Sequence, residues 1–198
     1  MFKMKILKLN DTNFSEIIEK CVISLKKPGA VLLVPTETVY GLVCRISDKI
    51  AVNRIYELKK RSENKPLALF VRRTSMLEHI TGPMPEEAEI LASKFCPGPI
   101  TIIVPDKSGA KTGFRIPDHP FILGLLEELA EPLASTSANR SGDEPIGDPF
   151  HVDREMGKEL DLVIDGGILP PDVSSVVSLI GDVSEVLRKG MGDVSWCT

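Results

Sequence analysis

Short runs of branched apolar residues alternate with helix-like segments along the first two thirds of this chain. The runs at 30–34, 67–71 and 100–104 are almost entirely apolar, which is typical of buried strands. Between them apolar residues recur at helical spacing, and the segment 85–95 has a proline in its first turn. Near the end, two strand-like runs flank Gly181, which indicates a hairpin. The order predicts an α/β fold in which helices flank one twisted sheet of mixed parallel and antiparallel strands.

Two of the predicted helices have recognisable starts. Asn13 followed by Glu16 has the pattern of an N-terminal cap with its reciprocal acid. Asp48 is predicted to cap a second helix, which ends in the cations at 59–61. Residues 1–8 alternate lysine with apolar residues, which is typical of an edge strand rather than of a signal peptide.

The composition is that of a globular protein in a reducing compartment. The 198 residues are 42% hydrophobic and 26% charged, and no run approaches the roughly 20 apolar residues of a bilayer span. We therefore expect a single domain over 1–198, no second domain, no membrane contact and a cytoplasmic location. The cysteines and histidines are scattered, without the spacing of metal ligands, so a divalent ion is expected only together with a ligand. The net charge of -4 gives no general attraction to nucleic-acid phosphates.

The first polar cluster directly follows the first predicted strand. Pro35 ends that strand, and the hydroxyl groups of Thr36, Thr38 and Tyr40 come before Gly41. Such hydroxyls line a ligand site in one interpretation and satisfy the amides of a turn in the other. This segment alone leaves both open.

Cations gather between the second helix and the next strand. A turn separates Lys59, Arg61 and Lys65 and can bring their heads to one point, as a polyphosphate requires. The alternative, which we accept for Lys60, is that they complement the helix dipole. No glycine-rich phosphate loop lies beside them, so an ordinary P-loop or Rossmann site is not expected.

A third polar cluster occupies 135–142, after another predicted strand. Its serine, threonine and asparagine side chains offer neutral donors and acceptors for phosphate and hydroxyl oxygens. The alternative is a polar turn held by its own side-chain bonds to the backbone.

Together with three further motifs, these clusters resemble the YrdC family of threonylcarbamoyl-AMP synthases, in its short single-domain form. The motifs occur in the family's order from the first helix to about residue 190: Pro35-Thr36-Glu37-Thr38-Val39-Tyr40-Gly41-Leu42, Lys59-x-Arg61 with Lys65-Pro66-Leu67, Pro97-Gly98-Pro99-x-Thr101, Arg115-Ile116-Pro117-Asp118-His119-Pro120, Ser137-Ala138-Asn139-x-Ser141-Gly142 and Leu187-Arg188-x-Gly190.

The resemblance implies that L-threonine, bicarbonate and ATP condense to threonylcarbamoyl-adenylate with release of pyrophosphate. A separate transferase then moves the threonylcarbamoyl group to an adenosine beside the tRNA anticodon. Such chemistry needs no strong side-chain nucleophile, because positioning and charge neutralisation by cations and the Mg²⁺ of ATP suffice. The protein itself is expected to hold no metal.

The resemblance also implies roles for individual residues. Arg115 is the expected partner of the threonine carboxylate, and Lys59, Arg61 and Arg115 are the expected catalytic cations. The remaining threonine contacts are Thr36, Thr38, Tyr40, Ser135 and Ser174. The ATP contacts are Lys59, Arg61, Lys65, Ser137, Asn139 and Arg188. His119 is expected to be structural, because prolines beside it already explain a rigid turn.

Some positions depart from the family pattern. Phe70 stands where longer relatives often have histidine, so a hydrogen bond to threonine is lost there. Lys111 stands at a threonine position near ATP, Pro171 near a usual glycine, and Ser178 at a usual aspartate. We therefore expect the loop before Ser174 to close differently over the ligand.

Two alternatives remain open at this point. The chain is a double-stranded RNA or tRNA binding module, with contacts through a local basic patch, or it is a YrdC-like paralogue that makes another carbamoyl-adenylate. Steep salt dependence of RNA affinity identifies the module, and pyrophosphate release without threonine identifies the paralogue.

Overall fold

The computed structural model describes residues 5–10, 12–152, 154–170, 172–181 and 183–197. The strands in this part are β1 (Ile6–Lys8), β2 (Leu32–Val34), β3 (Gly41–Arg45), β4 (Ala68–Phe70), β5 (Ile100–Pro105), β6 (Lys111–Arg115), β7 (Leu133–Ser137), β8 (Leu162–Asp165), β9 (Ser175–Ser178) and β10 (Glu185–Arg188). The helices are α1 (Phe14–Leu25), α2 (Lys49–Lys59), α3 (Glu78–Thr81), α4 (Glu86–Phe95), α5 (Pro120–Leu129) and α6 (Arg154–Lys158), with 3-10 helices at Thr74–Leu77 and Pro149–His151.

All ten strands belong to one sheet, in the order β1-β8-β2-β3-β7-β4-β6-β5-β9-β10. Pairing is parallel between β1 and β8, β2 and β8, β4 and β6, and β5 and β9. The other neighbours pair antiparallel. The predicted α/β fold with a mixed sheet is therefore confirmed. The predicted terminal hairpin is β9 and β10, although Asp182 in its turn lies outside the described residues.

Helices cover both faces of the sheet because the central strands are apolar on both sides. In β2, Leu33 points to the core that contains residues of α2 and α4, whereas Leu32 and Val34 point to the core formed with α1 and α5. The alternation follows from the period of two in a strand. Burial of both faces thus stabilises the middle of the sheet, and the polar residues lie at the ends of the strands.

The two predicted helix caps have different outcomes. The Asp48 carboxylate accepts a hydrogen bond from the backbone N–H of Ala51 at 3.0 Å, which confirms the cap of α2. The capping box of α1 was a wrong prediction, although the helix is present. The Asn13 side chain makes no cap bond, because its Nδ2 donates to the Lys8 carbonyl and its Oδ1 accepts from Asn10. Glu16 pairs instead with a lysine one turn further along α1.

Strand β3 was not predicted from the sequence. The segment Gly41–Arg45 is short and bounded by glycine and arginine, but it lies between β2 and β7 and gains its ladder bonds from both. The N-terminal run is confirmed as an edge strand at Ile6–Lys8, while residues 1–4 lie outside the described part. Among the described residues, no helix is both long and apolar enough to cross a bilayer.

Candidate functional site

The polar clusters of the sequence meet in one cavity of about 270 Å³ where several strand ends come together. Pairing of Val34 with Gly41, and of Gly41 with Ser137, brings the end of β2, the start of β3 and the end of β7 side by side. Of the predicted site residues, those that line the cavity are Thr36, Thr38, Tyr40, Arg61, Arg115, Ser135, Ser137, Ser174 and Arg188. The structure therefore brings distant stretches of chain into a shared hollow.

The turn after β2 is held by its own hydroxyl groups. The Thr36 hydroxyl donates to the Val39 carbonyl at 2.7 Å and accepts from the Thr38 N–H at 3.1 Å. The Thr36 and Thr38 hydroxyls are 2.9 Å apart. Both threonines are buried. The same two residues therefore fit both interpretations of this cluster, the hydrogen-bonded turn and the ligand site.

Arg115 forms a buried cationic corner of the cavity. Its guanidinium donates to the Thr38 hydroxyl at 3.1 Å and to the Glu37 carboxylate at 3.2 Å, and it lies 4.8 Å from the centre of the Phe70 ring. Burial lowers the pKa of Arg115, nearby Glu37 raises it and Arg188 lowers it again. Arginine remains protonated in such a site. Phe70, one of the departures from the family pattern, thus supports the arginine through its ring face.

Ser135 and Ser137 lie on β7 and face the same cavity. The Ser135 hydroxyl donates to the Ala68 carbonyl at 3.3 Å, across the β7–β4 pair. The carbonyl of Ser137 is used differently, because it accepts from the ammonium group of Lys59.

Lys59 and Asn139 are near the cavity but are not among its lining residues. The Lys59 side chain is fully buried, and its ammonium donates to the backbone carbonyls of Ser137 and Asn139. Burial lowers the pKa of Lys59 to about 8, and the charge of Arg61 adds to this effect. The Asn139 amide donates to backbone carbonyls at positions 140 and 143, which holds the loop after β7. Both residues therefore shape the loop next to the cavity.

Arg61 and Lys65 occupy different environments. Arg61 lines the cavity and is anchored by bonds from Nε to the Lys65 carbonyl, 2.9 Å, and from an Nη atom to the Pro66 carbonyl, 3.2 Å. The Lys65 side chain is exposed and is not among the lining residues. The expectation that Lys59, Arg61 and Lys65 converge on one point is not met in this structure, because Lys59 turns inward to the β7 loop. Their assignment to ATP stays a prediction.

Arg188 and Ser174 form another polar part of the cavity wall. Arg188 donates from Nε to the Ser174 carbonyl at 2.9 Å and from an Nη atom to the Ser174 hydroxyl at 3.1 Å. The same hydroxyl is 3.0 Å from that of Thr101 on β5. Burial lowers the pKa of Arg188. A cation, a serine and a threonine thus form a continuous polar wall.

Tyr40 fastens the segment after β8 to this region. Its hydroxyl donates to the Gly167 carbonyl at 2.7 Å and accepts from the Gly166 N–H at 3.0 Å. Burial raises the pKa of Tyr40 to about 12, so the phenol stays protonated. The Leu169 N–H donates to the Gly147 carbonyl, which holds the segment at a second point.

Two of the remaining departures, Lys111 and Ser178, are not among the described residues that line the cavity. Lys111 is exposed at the start of β6, and Ser178 is buried on β9 with its hydroxyl 3.4 Å from the Ile180 N–H. Pro171 lies outside the described residues, so the expected change in loop closure remains a prediction. Burial lowers the pKa of His119, as does the charge of Arg115, which favours a neutral imidazole. No group of histidine, cysteine and carboxylate side chains in the described part of the chain is arranged to hold a metal ion.

Glu37 and Thr101 are among the residues of the site that were not assigned from the sequence. Glu37 pairs with Arg115, and Thr101 lines the cavity beside Ser174. Both lie inside recognised motifs, but the pairing of distant segments that gives them their contacts is a property of the fold. The available sequence signal for Glu37 was its position between Thr36 and Thr38, two threonines assigned to the ligand site.

Comparisons with known proteins match the chain to one family. A family model for Sua5, YciO and YrdC proteins, described as telomere recombination, matches residues 24–190. The threonylcarbamoyl-AMP synthase of Bacillus subtilis (strain 168) is 37% identical over 178 residues, which cover 84% of this chain and 51% of that protein. With 52% of the Pyrococcus abyssi synthase covered as well, the chain spans about half the length of these curated relatives.

Solved structures give the same result. Escherichia coli YciO has a TM-score of 0.87 and 29% identity, with 100% of both chains covered. Pyrococcus abyssi Sua5 complexed with L-threonine has a TM-score of 0.83 and 30% identity, with 94% of this chain and 57% of that chain covered. Since the family model spans most of the sequence and the fold agrees, this chain belongs to the Sua5/YciO/YrdC family.

Proposed function

We propose that this protein makes L-threonylcarbamoyl-adenylate from L-threonine, bicarbonate and ATP and releases pyrophosphate. The product then serves a separate transferase that modifies tRNA beside the anticodon, in the cytoplasm. The observation that carries the proposal is the shared cavity, which has a buried arginine in one corner and two further arginines on its walls. The family membership supports the same activity, because the Bacillus subtilis relative is named threonylcarbamoyl-AMP synthase.

The Arg115 corner suits the amino acid. A guanidinium that is already fixed by Thr38 and Phe70 presents a preorganised partner for an α-carboxylate. The hydroxyls of Ser135 and Ser174 face the same space and are the proposed partners for the remaining polar groups of threonine. Pyrococcus abyssi Sua5 was solved as a complex with L-threonine, which agrees with an amino-acid site in this fold.

The two other lining arginines suit the nucleotide. Arg61 and Arg188 are the lining cations available to a triphosphate, and Ser137 adds a hydroxyl. We propose that Lys59 and Asn139 contribute by holding the β7 loop and that Lys65 contributes from outside the cavity. Because the described residues include no metal cluster, Mg²⁺ is proposed to bind through the phosphate oxygens of ATP.

The proposed reaction needs no covalent intermediate with the enzyme. The threonine amine adds to bicarbonate and loses water to give a carbamate. A carbamate oxygen then attacks the α-phosphorus of ATP, and pyrophosphate leaves. Arginines that surround the reacting phosphate stabilise the charge that develops there, so the side chains act by position and charge.

Pyrophosphate release tests this proposal directly. We expect release only when ATP, threonine and bicarbonate are all present, and a loss when any one is omitted. The Thr38→Val variant is expected to lower the threonine-dependent rate, because the Arg115 guanidinium loses a partner. Thr112→Val on β6, at a position that is not among the lining residues, is the matched control. Release that does not depend on threonine contradicts the proposal.

A paralogue that makes another carbamoyl-adenylate is the second candidate. It agrees with the match over the full length of both chains to Escherichia coli YciO, which is not named as a synthase. Release that requires bicarbonate and ATP but not threonine identifies this alternative. A double-stranded RNA or tRNA binding module, by contrast, releases no pyrophosphate under any of these conditions.

A further inference from the structure

A buried carboxylate stands directly behind the arginine of the amino-acid corner. The side chains of Arg115 and Glu37 are 6% and 14% exposed, and an Nη atom of the arginine lies 3.2 Å from Oε2 of the glutamate. Arg115 lines the cavity, whereas Glu37 is not among the lining residues. The glutamate therefore acts on a ligand through the arginine and through space, without contact.

The turn after β2 positions Thr38 and Glu37 beside the Arg115 guanidinium. The hydroxyl bonds among Thr36, Thr38 and Val39 fix the backbone of the turn. Thr38 and Glu37 then approach the same guanidinium from neighbouring positions, at Nη1 and Nη2 respectively. The Phe70 ring is a third contact of the same guanidinium.

The Arg115–Glu37 pair does not use all of its hydrogen-bonding atoms. Oε1 of Glu37 and Nε of Arg115 are both buried without a hydrogen-bond partner among the described residues. Three other titratable groups lie near Arg115: Arg188, whose positive charge lowers the pKa of Arg115, and Cys96 and His119, which burial shifts toward their neutral forms. Glu37 is the carboxylate that offsets one of the two arginine charges at this corner.

We propose that Glu37 lowers the positive charge of the Arg115 corner by one unit and thereby shifts the selectivity of the corner from a plain carboxylate toward a zwitterionic α-amino acid. This inference rests on the proposed function, because it takes the corner as the amino-acid site. The negative charge of Glu37 opposes the entry of a plain carboxylate. A zwitterion brings an ammonium group together with its carboxylate, so attraction and repulsion by Glu37 largely cancel.

Replacing Glu37 by glutamine separates charge from hydrogen bonding. The glutamine amide oxygen still accepts from Arg115, but the corner gains one unit of positive charge. Plain carboxylates then gain affinity and amino acids lose their advantage. Glu37 is thus a specificity-determining residue of the site, and its charge rather than its shape carries the effect.

The test is calorimetric binding to the full chain of L-threonine and of 3-hydroxybutanoate, which has hydrogen in place of the α-amino group. We expect the wild type to bind threonine at least tenfold more tightly. In Glu37→Gln the affinity ratio of the two ligands should fall about tenfold, the size expected for one unit charge several ångströms away in a partly buried site. The gain should appear as tighter 3-hydroxybutanoate binding.

Two further variants keep the result interpretable. Glu131→Gln removes the charge from another partly buried pair, with Arg45, away from the cavity, and should leave the ratio unchanged. Glu37→Asp keeps the charge and should keep the ratio near the wild-type value, even if it binds both ligands more weakly. An unchanged ratio in a folded Glu37→Gln overturns the inference alone. Failure of the wild type to bind threonine at all overturns both the proposed function and the inference.

Discussion

The ammonium group of Lys59 donates a hydrogen bond to the backbone carbonyl of Ser137, which is 78 residues away in sequence. It also donates to the carbonyl of Asn139. A single buried cation therefore ties the end of α2 to the loop that follows β7. This loop lies next to the cavity, directly after the lining residue Ser137, so the lysine holds a segment that borders the candidate site.

The buried ammonium makes stability depend on pH. The pKa of Lys59 is lowered from 10.5 to about 8, mainly by burial. Between these pH values the unfolded chain binds more protons at this residue than the folded chain, so the free energy of unfolding rises with pH. We expect the wild type to gain stability relative to Lys59→Met between about pH 8 and pH 10.5 in urea titrations. Lys49→Met, at an exposed position of the same helix, is the control, and an equal slope for both variants contradicts the prediction.

Arg61 and Lys65 should differ in their effect on catalysis. Arg61→Ala removes a cation from the cavity wall, and a charge-assisted contact of this kind is worth about 10- to 100-fold in kcat/KM for ATP. Lys65→Ala removes an exposed charge and should change kcat/KM for ATP by no more than about threefold. Steady-state pyrophosphate release measures both. Equal losses in the two variants show that the phosphate subsite extends beyond the cavity.

The cap of α2 should contribute measurably to stability. Asp48 accepts from the Ala51 N–H at 3.0 Å and from the Gly29 N–H at 2.7 Å, so Asp48→Ala leaves two backbone donors without a partner. The expected loss is about 1–2 kcal/mol in the free energy of unfolding. Asn13→Ala should cost less, because the Asn13 side chain makes no cap bond to α1. Chemical denaturation of both variants checks the ranking.

The sequence predicted the sheet and most of its helices because these depend on local periodicity. It predicted both helix starts but misjudged the first cap, since the bonds of Asn13 go to Asn10 and Lys8, outside the helix. It missed β3, whose stability comes from its neighbours β2 and β7 rather than from its own composition. The local sequence pattern does not show which strands pair with each other.

The same limit applies to the site. The motifs and the family resemblance that they carry identified most of the hydroxyls and arginines that line the cavity. They did not indicate that Lys59 turns inward or that Glu37 stands behind Arg115. Both facts depend on which distant segment each side chain meets. Partners of charged side chains that are distant in sequence can therefore be identified only from the structure.

Tyr40 should stabilise the segment after β8 through its hydroxyl group. Tyr40→Phe leaves the Gly167 carbonyl and the Gly166 N–H without their partner, at an expected cost of about 1–3 kcal/mol. Tyr56→Phe removes only a long contact of 3.4 Å to the Lys65 carbonyl and is the matched control. Thermal unfolding compares the two, and hydrogen exchange at Gly166 and Gly167 should speed up in Tyr40→Phe alone.

The Ser174 hydroxyl joins two walls of the cavity, since it accepts from Arg188 and lies 3.0 Å from the Thr101 hydroxyl. Ser174→Ala should therefore release one of the two bonds that hold Arg188, while the bond to the Ser174 carbonyl remains. We expect KM to rise for both threonine and ATP, by about tenfold for at least one, because the same hydroxyl borders both proposed subsites. Ser178→Ala, on β9 and not among the lining residues, should stay within about twofold and controls for the loss of a buried serine. A rise in KM for ATP alone shows that Ser174 belongs to the nucleotide side and does not contact the amino acid.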